Sequence, residues 1–221
     1  MKIAMSSHYA DNYSELGIIM EDNRLEYCKK YGYQFFIKRK DFYGELGFGF
    51  SKIRFLLDLC LNNDFDYIHW GGVDTLITNF NIKIEDWLDN KHSFFISKEE
   101  SGEFRSLNAD VFIVKNDKNG RGILEFILSK FDDYKRHPWQ EQQVMINCLE
   151  KEFGSLIKIM PHQSFNSYPW RFYDSNQSGE ADIHKNEPGD FKPGDFLLHC
   201  PGHTLENRLR IFKFYIPQII K

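Results

Sequence analysis

The sequence predicts an α/β fold, because strand-like and helix-like segments alternate over its first 70 residues. Residues 2–9 form an apolar run that ends in small polar side chains, which is typical of a buried strand. Residues 14–31 carry apolar side chains at helical spacing and stop before Gly32, a common helix terminator. The resulting β-α-β-α-β order favours parallel strands joined by covering helices.

The same criteria assign the remaining elements in chain order. Further strands are predicted at 32–39, 65–70, 93–98, 109–116, 155–162 and 195–200. Helices are predicted at 51–62, 82–90, 120–134, 138–154 and 203–217. Ser51 is the expected cap of one helix, and Pro138 is the expected first residue of another. Residues 174–195 are rich in Asn, Gly, Asp, Glu, Lys and Pro, which indicates a long loop.

Composition limits the class of protein. A chain of 221 residues with 42% hydrophobic content suits one domain, residues 1–221, with a substantial core. The net charge of −4 and a pI near 6.1 argue against a nucleic-acid partner. Four cysteines without a CxxC pair indicate reduced thiols. No apolar run approaches the roughly 20 residues that span a bilayer, so we expect a soluble, cytoplasmic protein.

The stretch HWGGVDTLITN, residues 69–79, is the first candidate site. A strand runs into two glycines and then a single acid, Asp74, at the kind of strand end where ligands bind in open α/β sheets. Such a carboxylate can hold a divalent metal against a diphosphate, or it can simply close a turn. His199 ends a later strand in LLHCPGHT and suits Mn or Zn, or a buried hydrogen bond to the backbone.

Three other segments carry polar groups that suit a sugar. Glu141 and Gln142 lie in the first turns of a predicted helix, where they can bind a sugar or merely face solvent. Asn108 and Asp110 alternate with apolar residues at a strand start, and either bind hydroxyls or close a turn. The aromatic segment FNSYPWRF, 165–172, can stack on a sugar or pack a loop. Motifs for P-loop, Rossmann and hydrolase-elbow sites do not occur.

In sequence order, KYGYQFFI, SKIRFLL, FDYIHWGGVDTLITN, LNADVFIVKN, PWQEQQVM, IKIMPHQSFNSYP and GDFLLHCPG form a recognisable series. Together they resemble the galactosyl- and xylosyltransferase family of fungal α-1,2-galactosyltransferases, yeast mannan polymerase subunits and plant xyloglucan xylosyltransferases. The resemblance spans about residues 2–212. It implies a GT-A fold with a mixed, mostly parallel sheet flanked by helices. It also implies a nucleotide-sugar donor, Mn²⁺ and retention of anomeric configuration.

The resemblance also implies roles for individual residues. The family pattern Trp, any, Asp, any, Asp corresponds here to Trp70 through Asp74, with Gly72 in place of the first acid. Asp74 and His199 are therefore the expected metal ligands. The family pattern Asn, any, Gly corresponds here to Asn108 through Asp110, with Asp110 in place of the glycine, and Asp110 is the candidate for the missing carboxylate. The expected catalytic residues are Asp110, Gln142 and Glu141. The expected donor-binding residues are Ser6, Tyr9, Tyr13, Lys52, Asn108, Gly202 and His203.

The expected function is metal-assisted transfer of a hexose or pentose from a nucleoside-diphosphate sugar, UDP-sugar by preference, to a hydroxyl acceptor. Two alternatives remain open, and the absence of an acid at Gly72 favours the first of them. The first is a degenerate or metal-independent nucleotide-sugar binder with little turnover. The second is a non-enzymatic interaction domain that uses its aromatic surface. A carbohydrate acceptor is favoured over a nucleic acid.

Overall fold

A computed structural model describes residues 1–40, 43–101, 104–169 and 191–221. Its main sheet contains six strands: β1 (Ile3–Tyr9), β2 (Gln34–Arg39), β3 (Tyr67–Gly71), β5 (Phe94–Ser101), β6 (Phe104–Lys115) and β7 (Ile157–Met160). Their order across the sheet is β2-β1-β3-β6-β5-β7. All pairs are parallel except those that β6 makes with β3 and β5. The predicted mixed, mostly parallel sheet is confirmed.

A second sheet of two strands lies beside the first. It pairs β4 (Thr75–Ile77) with β8 (Leu197–His199) in antiparallel register. The helices are α1 (Ser14–Tyr31), α2 (Gly47–Asn62), α3 (Lys118–Ser129), α4 (Phe131–Tyr134), α5 (Gln140–Val144), α6 (Glu150–Phe153), α7 (His162–Phe165) and α8 (Leu205–Tyr215). A π-helical turn, Met145–Leu149, joins α5 to α6. Short 3₁₀ turns occupy Asp11–Tyr13, Gly44–Leu46, Ile84–Trp87, Gly154–Leu156 and Ile216–Gln218.

Both faces of the main sheet are buried. Successive strand residues alternate between faces, so Ile68 packs with α2 and α3 on one side while Tyr67 packs with α1 on the other. This two-sided burial explains the near-continuous apolar runs of the strands. Among the described residues, no helix is both long and apolar enough to cross a membrane.

The structure confirms most predicted elements and corrects several bounds. Helix α1 has the predicted bounds, and Gly32 closes it with a left-handed φ of 72°. Helix α2 starts at Gly47, so Ser51 lies inside it and the predicted cap is wrong. The predicted helix 138–154 starts at Gln140, and Pro138 precedes it.

Other differences come from short or long-range elements. The predicted helix 120–134 is divided into α3 and α4, and 82–90 contains only a 3₁₀ turn. Strand β6 begins five residues before the predicted strand at 109–116, because Phe104–Leu107 pair with β5 across a hairpin. Strand β4 and helix α7 were not predicted. Most of the predicted loop 174–195 and the end of segment 165–172 lie outside the described residues.

Candidate active site

A cleft of about 460 Å³ opens where β1 and β3 end. The carboxyl ends of parallel strands are the usual ligand-binding edge of an α/β sheet. Polar side chains from several elements line this cleft, among them Lys52, Asp74, Asp110, Glu141, Gln142 and Arg208. The first five of these are sequence-predicted site residues, so the structure brings them to one place.

Three potential cation ligands converge at the cleft. Nε2 of His199 lies 3.3 Å from Oδ2 of Asp110 and 3.7 Å from Oδ1 of Asp74. One ligand atom from each of the three residues lies within 4.8 Å of the other two. His199 is fully buried and Asp74 is 6% exposed, whereas the Asp110 side chain is 38% exposed. Carboxylate oxygens with one imidazole suit Mn²⁺ among divalent cations.

The second sheet explains why Asp74 and His199 meet although they are far apart in sequence. Thr75 of β4 lies directly opposite His199 of β8. The backbone N–H of Cys200 donates to the carbonyl of Asp74 at 2.9 Å. Pairing of these two short strands therefore fixes the imidazole beside the carboxylate.

A buried arginine from α1 shapes the loop that carries Asp74. Arg24 is fully buried and donates to the carbonyls of Gly71 at 2.9 Å and Gly72 at 3.1 Å, and also to Oγ1 of Thr75. A Cβ on Gly71 would lie 2.5 Å from Nη2 of Arg24. Position 71 therefore favours glycine, because the guanidinium of Arg24 lies too close to the backbone for a side chain.

The second glycine makes room for Asp110. A Cβ on Gly72 would lie 3.3 Å from Cγ of Asp110 and 3.0 Å from Oδ1 of Asp74. Asp110 reaches this point because the pairing of β5 with β6 is irregular. Ile96 pairs with Phe112 and Lys98 pairs with Leu107, so two residues along β5 correspond to five along β6. Bulges of this kind re-aim side chains beside active sites.

The tautomer of His199 follows from its neighbour. Asn166 uses its amide nitrogen as a donor, to Oε2 of Glu99 at 3.2 Å and to the hydroxyl of Tyr168 at 3.1 Å. Its oxygen must therefore accept the hydrogen bond from Nδ1–H of His199. Nε2 of His199 faces the two aspartates and makes no hydrogen bond within the described part of the chain. A buried nitrogen lone pair facing two carboxylates fits a bound cation or a proton.

Lys52 lies on the other side of Asp110. Its ammonium group contacts Glu141 at 2.6 Å, the carbonyl of Ala109 at 2.8 Å and Asp110 at 3.5 Å. Gly49 lies one helical turn before Lys52 in α2. A Cβ at position 49 would overlap the Glu141 carboxylate. The side-chain oxygen of Gln142 accepts a hydrogen bond from the backbone N–H of Ala109 at 3.4 Å. Glu141 thus holds Lys52 at the wall of the cleft.

Arg208 brings a second cation to the cleft from α8. Its Nη2 lies 2.9 Å from Oδ2 of Asp74, and its Nε donates to the carbonyl of Cys200 at 3.0 Å. The guanidinium carbon lies 5.7 Å from the ring centre of Tyr13, which also lines the cleft. Two positive groups therefore flank the three potential cation ligands.

Burial and charge shift the pKa values of these groups in different directions. Burial would lower the pKa of His199, but Asp74 and Asp110 outweigh it, so the pKa is raised. Burial raises the pKa of Asp74, and the nearby Asp110 carboxylate adds to this effect. For Asp110, the positive charge of Lys52, followed by His199, overcomes burial and holds the pKa well below its ordinary value. Burial would also lower the pKa of Lys52, but Glu141 and Asp110 raise it.

Some predicted donor-binding residues lie elsewhere. Ser6 is buried and donates to the carbonyl of His69. Tyr9 is 4% exposed, donates to Glu21 and lines a separate pocket with it, so the structure does not bring its ring to the cleft. Gly202 and His203 follow β8 at the turn before α8 and do not line the cleft, and Asn108 is buried beneath it.

Sequence patterns gave little sign of Arg24, Arg208 and Asn166. Arg24 and Arg208 occupy helices that also carry charged and polar side chains, where an isolated arginine normally faces solvent. Asn166 lies within the FNSYP segment that contributes to the family resemblance, which was the available signal.

Comparisons with known proteins agree with this geometry. Residues 1–94 match the sequence profile of the galactosyl transferase GMA12/MNN10 family. Over 97% of this chain and 100% of its own, a glycosyltransferase involved in glycosylation of the major capsid of PBCV-1 superposes with a TM-score of 0.75 at 13% identity. The chain is a glycosyltransferase of GT-A fold. The family resemblance predicted from sequence is confirmed over residues 1–94.

Two other solved glycosyltransferases extend the structural comparison. The galactosyltransferase LgtC, solved with donor and acceptor sugar analogs, has a TM-score of 0.59 at 12% identity over 96% of this chain and 95% of its own. GlyE of Streptococcus pneumoniae has a TM-score of 0.58 at 15% identity over 97% of this chain and 60% of its own. No curated protein sequence matches the chain. The family profile includes Asp74 but ends before Asp110 and His199, whose roles therefore rest on geometry.

Proposed function

We propose that this glycosyltransferase moves a hexose or pentose from a nucleoside-diphosphate sugar to a hydroxyl acceptor, with retention and with a divalent cation held by Asp74, Asp110 and His199. The observation that carries the proposal is the convergence of these three side chains near the end of β3. Asp74 and Asp110 line the cleft, and His199 is fully buried beside them. UDP-sugars are the favoured donors because of the family resemblance, and Mn²⁺ is the favoured cation because its ligands are two carboxylates and an imidazole.

The charge of the site supports a cation. Four carboxylates belong to the site: those of Asp74, Asp110 and Glu141 line the cleft, and that of Glu99 is buried and linked to His199 through Asn166. The opposing cations are Lys52, Arg208 and the buried Arg24. An excess of negative charge remains while His199 is neutral. A divalent cation beside a diphosphate would relieve it, since a buried uncompensated charge is costly.

The residues of the cleft divide the chemistry between them. The bound cation would supply charge neutralisation to the departing diphosphate. Lys52 and Arg208 add positive charge on either side, and Gln142 and Asp110 orient the sugar. In the retaining scheme, the bond from C1 to the phosphate oxygen breaks as the bond to the acceptor oxygen forms on the same face. The acceptor hydroxyl gives its proton to the departing phosphate, so no protein base is required.

A second reading is a metal-independent nucleotide-sugar binder. It is favoured by the ion pairs of Arg208 with Asp74 and of Lys52 with Asp110, which already place two cations where a diphosphate would lie. In this reading the guanidinium and the ammonium bind the phosphates directly. The two readings differ in whether donor binding depends on Mn²⁺.

Thermal shift and calorimetry with a panel of UDP- and GDP-sugars, each with Mn²⁺ and with EDTA, test the proposal. A donor at 100 times its dissociation constant adds about 2.7 kcal/mol of stability. We expect this gain with Mn²⁺ only, together with UDP release when an acceptor is present. Asp74→Asn should abolish the gain in stability that the donor gives in the presence of Mn²⁺. Asp64→Asn, whose side chain is 81% exposed, is the control.

Each outcome separates the readings. Equal donor binding with Mn²⁺ and with EDTA would establish the metal-independent binder. Absence of any nucleotide-sugar binding would favour the non-enzymatic interaction domain over both. Donor binding that requires Mn²⁺ and survives Asp74→Asn would remove Asp74 from the cation site.

A further inference from the structure

We infer that Glu99 is a positioning residue that sets Asp110 and His199 for the cation through two asparagines. The inference rests on the proposed function, because it concerns the same three ligands. Glu99 lies in β5, is 7% exposed and does not line the cleft. No sequence motif assigns Glu99 a role.

Glu99 is the centre of a buried hydrogen-bond network. Its Oε2 accepts from the amide nitrogens of Asn108 at 2.9 Å and Asn166 at 3.2 Å. Its Oε1 accepts from the hydroxyl of Tyr168. These three donors are neutral, so the buried carboxylate is stabilised by hydrogen bonds alone in this network. An ionised group at such a position is costly, which argues that its charge has a use.

One branch of the network reaches Asp110. Because Asn108 donates to Glu99 with its amide nitrogen, its oxygen is turned toward the backbone N–H of Asp110, which donates to it at 2.8 Å. This hydrogen bond lies within the irregular part of β6, where the regular pairing with β5 is interrupted. Glu99 therefore orients Asn108, and Asn108 holds the backbone from which the Asp110 carboxylate projects.

The other branch reaches His199. Asn166 donates to Glu99 and accepts from Nδ1–H of His199. The negative charge of Glu99 polarises the amide, which makes its oxygen a stronger acceptor for the imidazole. The result resembles the carboxylate–histidine pairs that orient metal ligands and raise their basicity, with an asparagine placed between the two groups. In the neutral imidazole, Nε2 is thereby kept free of hydrogen and directed at Asp74 and Asp110.

The network also connects ligands that belong to two different sheets. Asp110 belongs to the six-stranded sheet and His199 belongs to the two-stranded sheet, so no common strand fixes their separation. Glu99 binds both asparagines with the same oxygen, Oε2, and so links the two ligands across the gap between the sheets. A cation site needs its ligand atoms placed to within a few tenths of an ångström.

The test compares Glu99→Gln with Glu21→Gln in the full chain. Glu21 is also buried, at 8% exposure, and is paired with Arg39 away from the cation ligands. Calorimetry with Mn²⁺ alone should show about 10- to 100-fold weaker binding in Glu99→Gln and unchanged binding in Glu21→Gln. In ¹⁵N-histidine spectra without metal, recorded at a pH high enough to keep His199 neutral, the Nδ1–H tautomer of His199 should dominate in the parent and in Glu21→Gln, and should be mixed in Glu99→Gln.

Tyr168→Phe is a milder second variant that keeps the hydrogen bonds of Asn108 and Asn166 to Glu99. It should fold even if Glu99→Gln does not, and should weaken Mn²⁺ binding by a few-fold with a smaller change at His199. Mn²⁺ affinity within twofold of the parent, with unchanged His199 signals, would overturn the inference while leaving the proposed function intact. A parent chain that binds no Mn²⁺ would instead count against the proposed function, and the histidine spectra would still test Glu99.

Discussion

Gly72 and Asp110 share one space beside Asp74. A Cβ at position 72 would lie 3.3 Å from the carboxylate carbon of Asp110. In the family pattern, the position of Gly72 carries an acid and the position of Asp110 carries a glycine. We propose that the two residues have exchanged roles, so that the carboxylate comes from β6 instead of from the loop after β3 and occupies nearly the same place.

Exchanging the two residues back should preserve cation binding. Asp110→Asn alone should weaken Mn²⁺ binding at least about tenfold, because one anionic ligand is lost. Gly72→Asp alone should also impair binding, because a second carboxylate is forced against Asp110. The double variant Gly72→Asp/Asp110→Gly should recover much of the loss of either single change. Mn²⁺ calorimetry and UDP release are the measurements. Losses that simply add in the double variant would contradict the exchange.

Short-range patterns predicted the parts of the site that lie at strand ends. Asp74 and His199 each follow an apolar strand, and the family resemblance added Lys52 and Asp110. Their meeting depends on β4, a strand of only three residues, which is too short for an alternating pattern to reveal. Arg24 shows the same limit: its helix looks amphipathic, and only the carbonyls of Gly71 and Gly72 explain why a guanidinium is buried.

Bounds were predicted best where a local signal ends the element. Gly32 ends α1 as expected, because its left-handed conformation suits glycine. Ser51 was misassigned as a cap because the glycines at 47 and 49 look like loop residues. Gly49 is in fact required inside α2 to admit the Glu141 carboxylate, a contact from far along the chain. One domain over residues 1–221 stays a prediction.

Replacing Lys52 should destabilise the protein more than removing its ion pair altogether. The side chains of Lys52 and Glu141 are 5% and 7% exposed. Lys52→Met leaves Glu141 buried without its cation, which costs about 3–5 kcal/mol. Lys52→Met/Glu141→Leu removes both charges and should cost less than Lys52→Met alone. Urea unfolding at neutral pH measures both variants. A double variant as unstable as the sum of the single changes would show that the two groups are not coupled.

Gly71→Ala should loosen the loop that carries Asp74. The new methyl group would lie 2.5 Å from Nη2 of Arg24, which cannot shift without losing its bonds to two backbone carbonyls. We expect a loss of about 1–3 kcal/mol in stability and weaker Mn²⁺ binding. Gly122→Ala is the matched control, because its Cβ would meet nothing within 4 Å and it lies inside α3. That change should be neutral or stabilising. Equal effects of the two alanines would argue against the contact with Arg24.

His69→Leu should make stability less sensitive to acid. His69 is fully buried among Phe165 and Phe196, and neither ring nitrogen has a hydrogen-bond partner among the residues that the structure describes. Burial, helped by Arg24, lowers the pKa of His69 to about 3. In the unfolded chain this imidazole takes up a proton near pH 6.5, whereas in the folded chain it stays neutral until about pH 3. Proton uptake therefore favours the unfolded state, and the free energy of unfolding falls as the pH is lowered from 6.5 toward 3.

The loss amounts to about 1.4 kcal/mol per pH unit for one such group, which is resolvable by urea unfolding between pH 7 and pH 4. The parent should lose stability along this slope, and His69→Leu should show a slope shallower by about that amount. Part of the acid sensitivity will remain, because burial also lowers the pKa of His8 to about 3. His69 does not line the cleft, so donor affinity at neutral pH should be unchanged. Parallel pH profiles for the two proteins would mean that His69 is protonated equally in the folded and unfolded states.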